Sequence, residues 1–322
     1  MRALVTGCAG FIGSHLTEAL LADGLQVLGI DCFNDNYQRP PKLQNLNHQA
    51  KDWDHFEFVP IDLSLGDLDE IVAEADVVFH LAAEPGVRAS WGARFERYVR
   101  NNVIATQHLL EALQASPGKR FVYASSSSIY GDAETFPTPE TVTPRPLSPY
   151  GMTKLSGEHL CRLYAANHGL YTVALRYFTV YGPRQRPDMA FHLFCRAAIE
   201  GEPITVFGDG RQTRDFTFVD DIVAGTRAAS SADVEPGSVF NLGGGSQTSV
   251  RETLDIIAGL AGRELDVTYA EKEHGDVRNT SADTSAARTQ LGFDPQTSLE
   301  QGLAAEFEWM REFLGSPASA RP

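Results

Sequence analysis

A glycine-rich segment, TGCAGFIGSHL at residues 6–16, constrains the fold of this chain more than any other feature. Gly7, Gly10 and Gly13 directly follow an apolar strand pattern and directly precede a helical pattern. In this context the backbone N–H groups at the helix N-terminus can receive a pyrophosphate. A glycine turn alone is a weak signal, but Asp31 closes the second strand about 20 residues further on, where a carboxylate accepts hydrogen bonds from an adenosine ribose. Because a carboxylate repels a 2′-phosphate, these residues favour NAD over NADP as cofactor.

The rest of the first half supports the same fold. Short apolar runs alternate with helical patterns, and the runs are RALVTG, QVLGID, FEFVPID, DVVFHLA and RFVYASS. This alternation predicts an α/β fold, a Rossmann-like doubly wound parallel sheet. The polar, proline-containing stretch 34–55 is predicted to be a long loop with at most fragmentary helix.

After YTVALRY (171–177) the alternation loosens, which indicates a smaller C-terminal α/β substrate domain whose segments interleave with the first domain. We predict an NAD-binding domain formed by residues 1–177 plus 216–242. The remaining residues, 178–215 plus 243–322, are predicted to form that smaller substrate domain.

Composition excludes several classes of function. The 322 residues carry a net charge of −15 and no lysine- or arginine-rich run, so the protein repels nucleic acid and anionic membranes. The four cysteines show neither metal-site spacing nor a disulfide framework. No apolar run reaches the roughly 18 residues that span a bilayer. We therefore expect a cytoplasmic protein without a metal.

The segment SPYGMTK supplies a candidate general base. Ser148 is a plausible helix N-cap and Pro149 fits the first helical position, so Tyr150 and Lys154 lie on one helix face at i, i+4 spacing. An ordinary tyrosine has a pKa near 10. A neighbouring ammonium and a cationic nicotinamide both favour the phenolate, which would let Tyr150 accept a proton.

Five motifs together resemble the extended short-chain dehydrogenase/reductase family of nucleotide-sugar epimerases and dehydratases. They are TGCAGFIGSHL, HLAA (80–83), ASSSSIYG, YGMTK and RYFTVYGP, and the resemblance covers nearly the whole chain. It implies a catalytic triad of Ser126, Tyr150 and Lys154 and a tightly held NAD that takes and returns a hydride. It also implies that Arg214 and Arg278 bind a nucleoside diphosphate, which guanidinium groups pair with bidentately.

The glycine-rich segment and the family resemblance together predict a set of cofactor contacts. Asp62 and Leu63 end the third strand and could flank the adenine. The full predicted set is Gly7, Gly10, Phe11, Ile12, Gly13, Asp31, Asp62, Leu63, Leu81, Ala82, Ala83, Tyr150, Lys154 and Tyr177.

The four serines of ASSSSIYG help to define the reaction that the resemblance implies. Dehydratases of this family carry an Asp-Glu pair after the triad hydroxyl, and the decarboxylases carry a glutamate at the position of Ser128. Because this chain has Ser127 and Ser128 there, elimination and decarboxylation are disfavoured. The motif RYFTVYGPRQRPDMA, with Thr179, is most similar to that of UDP-glucuronate 4-epimerases. The segment GVRAS points the same way and makes Arg88 a substrate contact, although EP stands before it where QA is expected.

These observations predict reversible C4 epimerisation of UDP-glucuronate to UDP-galacturonate through a 4-keto sugar. That intermediate is a β-keto acid, which loses CO₂ readily when its carboxylate is desolvated. Hydroxyl donors that keep the carboxylate hydrogen-bonded oppose the loss. Ser127, Ser128 and Thr179 can supply such donors, with Arg186 as a counter-ion.

Two other functions remain open at this point. The chain could epimerise a neutral or N-acetylated UDP-hexose with the same triad, or it could be a catalytically silent NAD-binding sensor or scaffold. The helices near residues 95–114 and 149–167 resemble those that pair across a two-fold axis in the family. A homodimer is therefore expected.

Overall fold

The computed structural model describes residues 1–49, 54–244, 247–271 and 277–316. Its centre is a seven-stranded sheet in the order β10-β6-β5-β4-β1-β2-β3, in which every pair of neighbours is parallel. The strands are β1 Arg2–Thr6, β2 Gln26–Ile30, β3 Phe56–Val59, β4 Val77–His80, β5 Arg120–Ser126, β6 Tyr171–Tyr177 and β10 Ser238–Leu242. The inner strands are apolar on both faces, as a sheet covered on both sides requires. The predicted Rossmann-like fold is confirmed.

Helices cover both faces of this sheet and bury two apolar clusters against it. The helices α1 and α8 pack together on one face, while α3, α5 and α6 lie on the other. The α-helices are α1 Phe11–Ala22, α2 Arg39–Gln49, α3 Asp69–Ala73, α4 Phe95–Tyr98, α5 Ala105–Ala115, α6 Pro149–His168, α7 Ala190–Glu200, α8 Val219–Ala229, α9 Val250–Ala261, α10 Ser285–Leu291 and α11 Leu299–Leu314. A π-helical segment, Val99–Ile104, joins α4 to α5. None of the helices in the described ranges is long and apolar enough to cross a membrane.

The prediction of a loop with at most fragmentary helix over residues 34–55 is wrong, because α2 occupies Arg39–Gln49. Pro40 and Pro41 lie in its first turn, where the missing N–H groups would have had no partner within the helix. Tertiary contacts with α1 then hold the helix in place. Proline here marks the start of a helix rather than a break.

Two smaller sheets are formed by strands from the second half of the chain. Strands β7 Thr179–Tyr181, β9 Thr213–Phe218 and β11 Gln247–Ser249 make one sheet, and β8 Ile204–Phe207 pairs with β12 Val267–Ala270 in the other. The predicted domain boundary at residue 216 falls inside β9, all of whose residues pair within the small sheet. The chain then returns to the large sheet at β10.

Candidate active site

A cavity opens where the strands of the large sheet end, and every predicted cofactor contact lines it. These residues are Gly7, Gly10, Phe11, Ile12, Gly13, Asp31, Asp62, Leu63, Leu81, Ala82, Ala83, Tyr150, Lys154 and Tyr177. They come from the ends of β1, β2, β4 and β6, from the segment after β3 and from the starts of α1 and α6. Parallel strands place their carboxyl ends at one edge of the sheet, which is where ligands bind in such folds. Their contact with NAD stays a prediction.

The turn between β1 and α1 and the first turn of α1 each have one position that accepts only glycine. Gly7 has a φ of +74°, and its N–H donates to the Ile30 carbonyl oxygen at 2.7 Å. A Cβ on Gly7 would lie 2.8 Å from the backbone nitrogen of Ala82. A Cβ on Gly13 would overlap the carbonyl oxygen of Gly7. The glycines thus let α1 start directly against the strand ends, with its N-terminus facing the cavity.

Asp31 is fixed at the end of β2 by backbone amides. Its carboxylate accepts hydrogen bonds from the N–H of Phe33 at 2.8 Å and of Ala9 at 3.3 Å. Burial raises the pKa of Asp31 above its ordinary value, while these two bonds and the charge of Lys42 oppose the rise. Asp62 is held differently: burial would raise its pKa, but hydrogen bonds from Ser64 and the Arg100 guanidinium outweigh this and lower it.

One wall of this cavity is formed by residues that the sequence did not indicate. Asn34, Asn36, Tyr37 and Lys42 line it, and all of them belong to the stretch predicted as a loop. The Lys42 ammonium is buried and donates to the Asn34 carbonyl oxygen at 2.6 Å and to the side-chain oxygens of Asn34 and Asn36 at 2.7 and 2.8 Å. The available signal was Lys42 itself, which directly follows the two prolines in the first turn of α2.

The start of α6 positions the candidate base as predicted. Ser148 caps the helix by accepting a hydrogen bond from the Gly151 N–H at 3.1 Å. Burial raises the pKa of Tyr150, while a side-chain hydrogen bond with Ser126 and the positive charge of Arg186 oppose the rise. The structure therefore brings Tyr150 and Ser126 into contact, next to a cation that favours the phenolate.

Lys154 lies one turn of α6 after Tyr150 and also lines the cavity. Its ammonium is buried and donates to the Ala124 carbonyl oxygen at 2.8 Å. Burial lowers its pKa to about 8, and the negative charge of Glu158 limits that fall. At neutral pH, Lys154 is therefore still mostly in its charged form.

A buried ion pair behind Lys154 was also missed. Arg176 donates to both carboxylate oxygens of Glu158, at 3.0 and 2.9 Å, and both side chains are almost fully buried. Ser125, which lines the cavity, donates to Glu158 at 2.5 Å. The i, i+4 spacing of Lys154 and Glu158 was the available signal, since it puts both on one face of α6.

The other three serines surround the end of β5 without lining the cavity. Ser126 accepts a hydrogen bond from the Ser128 N–H at 3.1 Å and caps a 3-10 turn over Ser127–Ile129. Ser127 and Ser128 remain partly exposed. Thr179 begins β7, which runs beside β9 in the small sheet.

The predicted arginines divide into two groups. Arg186 lines the cavity and forms two hydrogen bonds with Asp188, at 3.0 and 2.9 Å. Arg88, Arg214 and Arg278 lie outside the cavity lining, around the ends of β8 and β9. Arg88 stacks 4.6 Å over the Phe207 ring, Arg214 donates to the Arg278 carbonyl oxygen at 3.0 Å, and the Arg278 guanidinium lies 3.6 Å from Asp209.

Comparison with known proteins agrees with this arrangement. The chain matches the NAD dependent epimerase/dehydratase family over residues 3–243. It is 44% identical to a Bacillus subtilis protein named as an uncharacterized UDP-glucose epimerase, YtcB, over 96% of this chain and 98% of that one. It is 39% identical to UDP-glucuronate 4-epimerase of Thermodesulfobacterium geofontis, over 96% of each chain.

A solved structure extends the comparison to three dimensions. UDP-glucuronic acid 4-epimerase from Bacillus cereus, in complex with UDP-glucuronic acid and NAD, is 44% identical and superposes with a TM-score of 0.94 over 97% of this chain and 100% of that one. Both the family description and this neighbour support the predicted cofactor. The chain belongs to the NAD dependent epimerase/dehydratase family, which confirms the resemblance to the extended short-chain dehydrogenase/reductases and NAD as the cofactor.

Proposed function

We propose that this protein interconverts UDP-glucuronate and UDP-galacturonate by reversible epimerisation at sugar C4. The observation that carries the proposal is the pairing of Tyr150 with Ser126 beside Arg186 at the cavity, with serines rather than acids at positions 127 and 128. The two 4-epimerases named above, which act on or bind the glucuronate substrate, support the same assignment.

Tyr150 is the proposed general base. Its phenolate oxygen accepts the proton of the sugar 4-OH and becomes the neutral phenol, either directly or through Ser126, which shares a hydrogen bond with it. The cavity lined by Gly7, Asp31, Tyr150 and Lys154 would hold NAD, which would supply a reversible hydride acceptor for sugar C4. The charged form of Lys154 stabilises the phenolate, and the Ala124 carbonyl oxygen holds the ammonium in place.

The hydroxyl groups of Ser127, Ser128 and Thr179 are proposed to hold the substrate carboxylate, with Arg186 as counter-ion. The 4-keto intermediate is a β-keto acid, and a localised, hydrogen-bonded carboxylate loses CO₂ more slowly than a desolvated one. A glutamate at any of these positions would instead repel the substrate carboxylate. This group of three hydroxyls, which we call the carboxylate cradle, therefore keeps the intermediate intact until the hydride returns.

Arg88, Arg214 and Arg278 are proposed to anchor the diphosphate. Their grouping near the ends of β8 and β9 concentrates positive charge in a protein whose net charge is −15. An anchored diphosphate lets the 4-keto sugar turn without leaving the site, so the second hydride transfer stays intramolecular.

We further propose a cytoplasmic homodimer. Several large apolar side chains are exposed on or near the segments expected at the two-fold axis. These are Trp91, Phe95, Ile104, Leu147, Met152 and Leu163. None of the four cysteines, all of which lie in the described residues, forms a disulfide, and Cys32 is exposed, which fits a reducing compartment.

The test is to incubate the purified protein with UDP-glucuronate without added cofactor and to follow the anomeric signals by NMR. Appearance of a galacto isomer supports the proposal, and a pentose product with CO₂ rejects it. UDP-glucose is the second substrate to assay, because the Bacillus subtilis relative carries that name. Tyr150→Phe is the matched control, since it keeps the ring and removes the base.

A further inference from the structure

We propose that Glu84 is a positioning residue that holds two walls of the cofactor cavity together and so retains bound NAD. Glu84 follows β4 and does not line the cavity itself. It acts through Asn34 and Asn101, which do. These two residues come from distant segments, the loop after β2 and the π-helical turn before α5. The proposal concerns NAD and does not depend on which sugar is the substrate.

The backbone of Glu84 is fixed from one side. Its N–H donates to the Asn102 side-chain oxygen at 2.7 Å, and the Asn102 amide returns a hydrogen bond to the Glu84 carbonyl oxygen at 3.0 Å. Asn102 is buried and also donates to Thr153 of α6 at 3.0 Å. The glutamate is therefore anchored to the helix that carries Tyr150 and Lys154.

The side chain of Glu84 gathers three donors on one carboxylate oxygen. Asn34 donates to it at 3.1 Å, Asn101 at 3.2 Å and the Arg97 guanidinium at 3.4 Å. Glu84 is only 6% exposed. A carboxylate oxygen suits three donors, because charge-assisted hydrogen bonds are stronger than neutral ones.

Lys42 holds the Asn34 side chain on the side opposite Glu84. Its ammonium donates to the side-chain oxygen of Asn34 at 2.7 Å, while the amide nitrogen of Asn34 faces Glu84. Only this orientation of the amide pairs oxygen with the cation and nitrogen with the anion. Asn34 is thus held between opposite charges, and its position along the cavity wall is specified.

Release of NAD from the cavity requires its walls to separate. Moving the loop at Asn34 away from Asn101 breaks the hydrogen bond from Asn34 to the buried Glu84 carboxylate, which then keeps only Asn101 and Arg97 as donors. A hydrogen bond to a buried charged group costs more to lose than a neutral one. The surface pair of Arg97 with Asp35 spans the same two segments, but both groups are more exposed and such pairs contribute little. The structure therefore assigns the retention of NAD to Glu84 rather than to Asp35.

The experiment measures the rate of NAD release from the holoprotein, with an NAD-consuming enzyme as trap, alongside the melting temperature of the NAD-free protein. Glu84→Ala is expected to release NAD about tenfold faster, since roughly 1.4 kcal/mol per tenfold is within the value of a hydrogen bond to a charged group. Glu84→Gln, which keeps an acceptor oxygen, should restore part of the slow release. Asp35→Asn is the matched control and should release NAD at the wild-type rate.

Three results would overturn the proposal. Glu84→Ala could release NAD at the wild-type rate, Asp35→Asn could accelerate release as much as Glu84→Ala does, or a lower melting temperature could be the only change. If Glu84→Ala does not fold, Glu84→Gln decides alone: faster release supports the role, and an unchanged rate refutes it.

Discussion

Replacing Glu158 by glutamine tests the buried ion pair behind the candidate base. The carboxylate accepts two hydrogen bonds from Arg176, at 3.0 and 2.9 Å, and one from Ser125 at 2.5 Å. The change leaves a buried guanidinium without a counter-charge, which costs about 3–5 kcal/mol. We expect urea denaturation of Glu158→Gln to show a loss of that size in the free energy of unfolding.

The double variant Glu158→Gln/Arg176→Met separates loss of the pair from loss of a single residue. Removing both charges avoids the unpaired cation, so the double variant should be less destabilised than the sum of the single variants. Simple additivity, or a single-variant loss below about 1 kcal/mol, would refute the argument that the pair is desolvated and mutually dependent.

The same substitution should alter the pH dependence of turnover. The pKa of Lys154 is lowered to about 8 by burial, and the charge of Glu158 opposes that shift. The ammonium exists below this pKa and is lost as the pH rises through it, so turnover should fall on the alkaline side near pH 8. Without the Glu158 charge, the pKa of Lys154 falls further and the alkaline limb should move to lower pH. An unmoved limb would mean that Glu158 does not influence Lys154.

Three other outcomes are expected. Ser128→Glu should raise the ratio of CO₂ to epimer measured with labelled UDP-glucuronate, because a carboxylate there repels the carboxylate of the substrate. Lower activity without more CO₂ would contradict the proposed role of the carboxylate cradle. Gly13→Ala should abolish NAD binding in calorimetry, because the added Cβ overlaps the Gly7 carbonyl oxygen; retained affinity would show that the turn can adapt. Burial raises the pKa of Glu306 well above its ordinary value, although the Gly182 N–H bonded to it at 2.8 Å opposes the rise. The folded protein therefore holds a proton that the unfolded chain releases above about pH 4.5. Wild type should lose unfolding free energy relative to Glu306→Gln as the pH increases, and parallel pH profiles would refute this.

Features that depend on local spacing could be predicted from the sequence. The glycine turn, the carboxylate at the end of β2 and the Tyr-Lys pair behind an N-cap all have short-range signatures, because each arises from backbone conformation or helical periodicity within a few residues. The parallel sheet followed from apolar runs that alternate with helices. The family resemblance added the expected roles of Ser126 and the arginines.

The tertiary structure alone decided the roles of residues whose partners are distant in the chain. Glu84 takes its role from donors at positions 34, 97 and 101, and Glu158 takes its role from Arg176 on a strand. The helix over Arg39–Gln49 was obscured by its prolines, and with it the buried Lys42. Whether a charged side chain is solvated or buried beside an opposite charge depends on long-range packing, and no local pattern of residues encodes that packing.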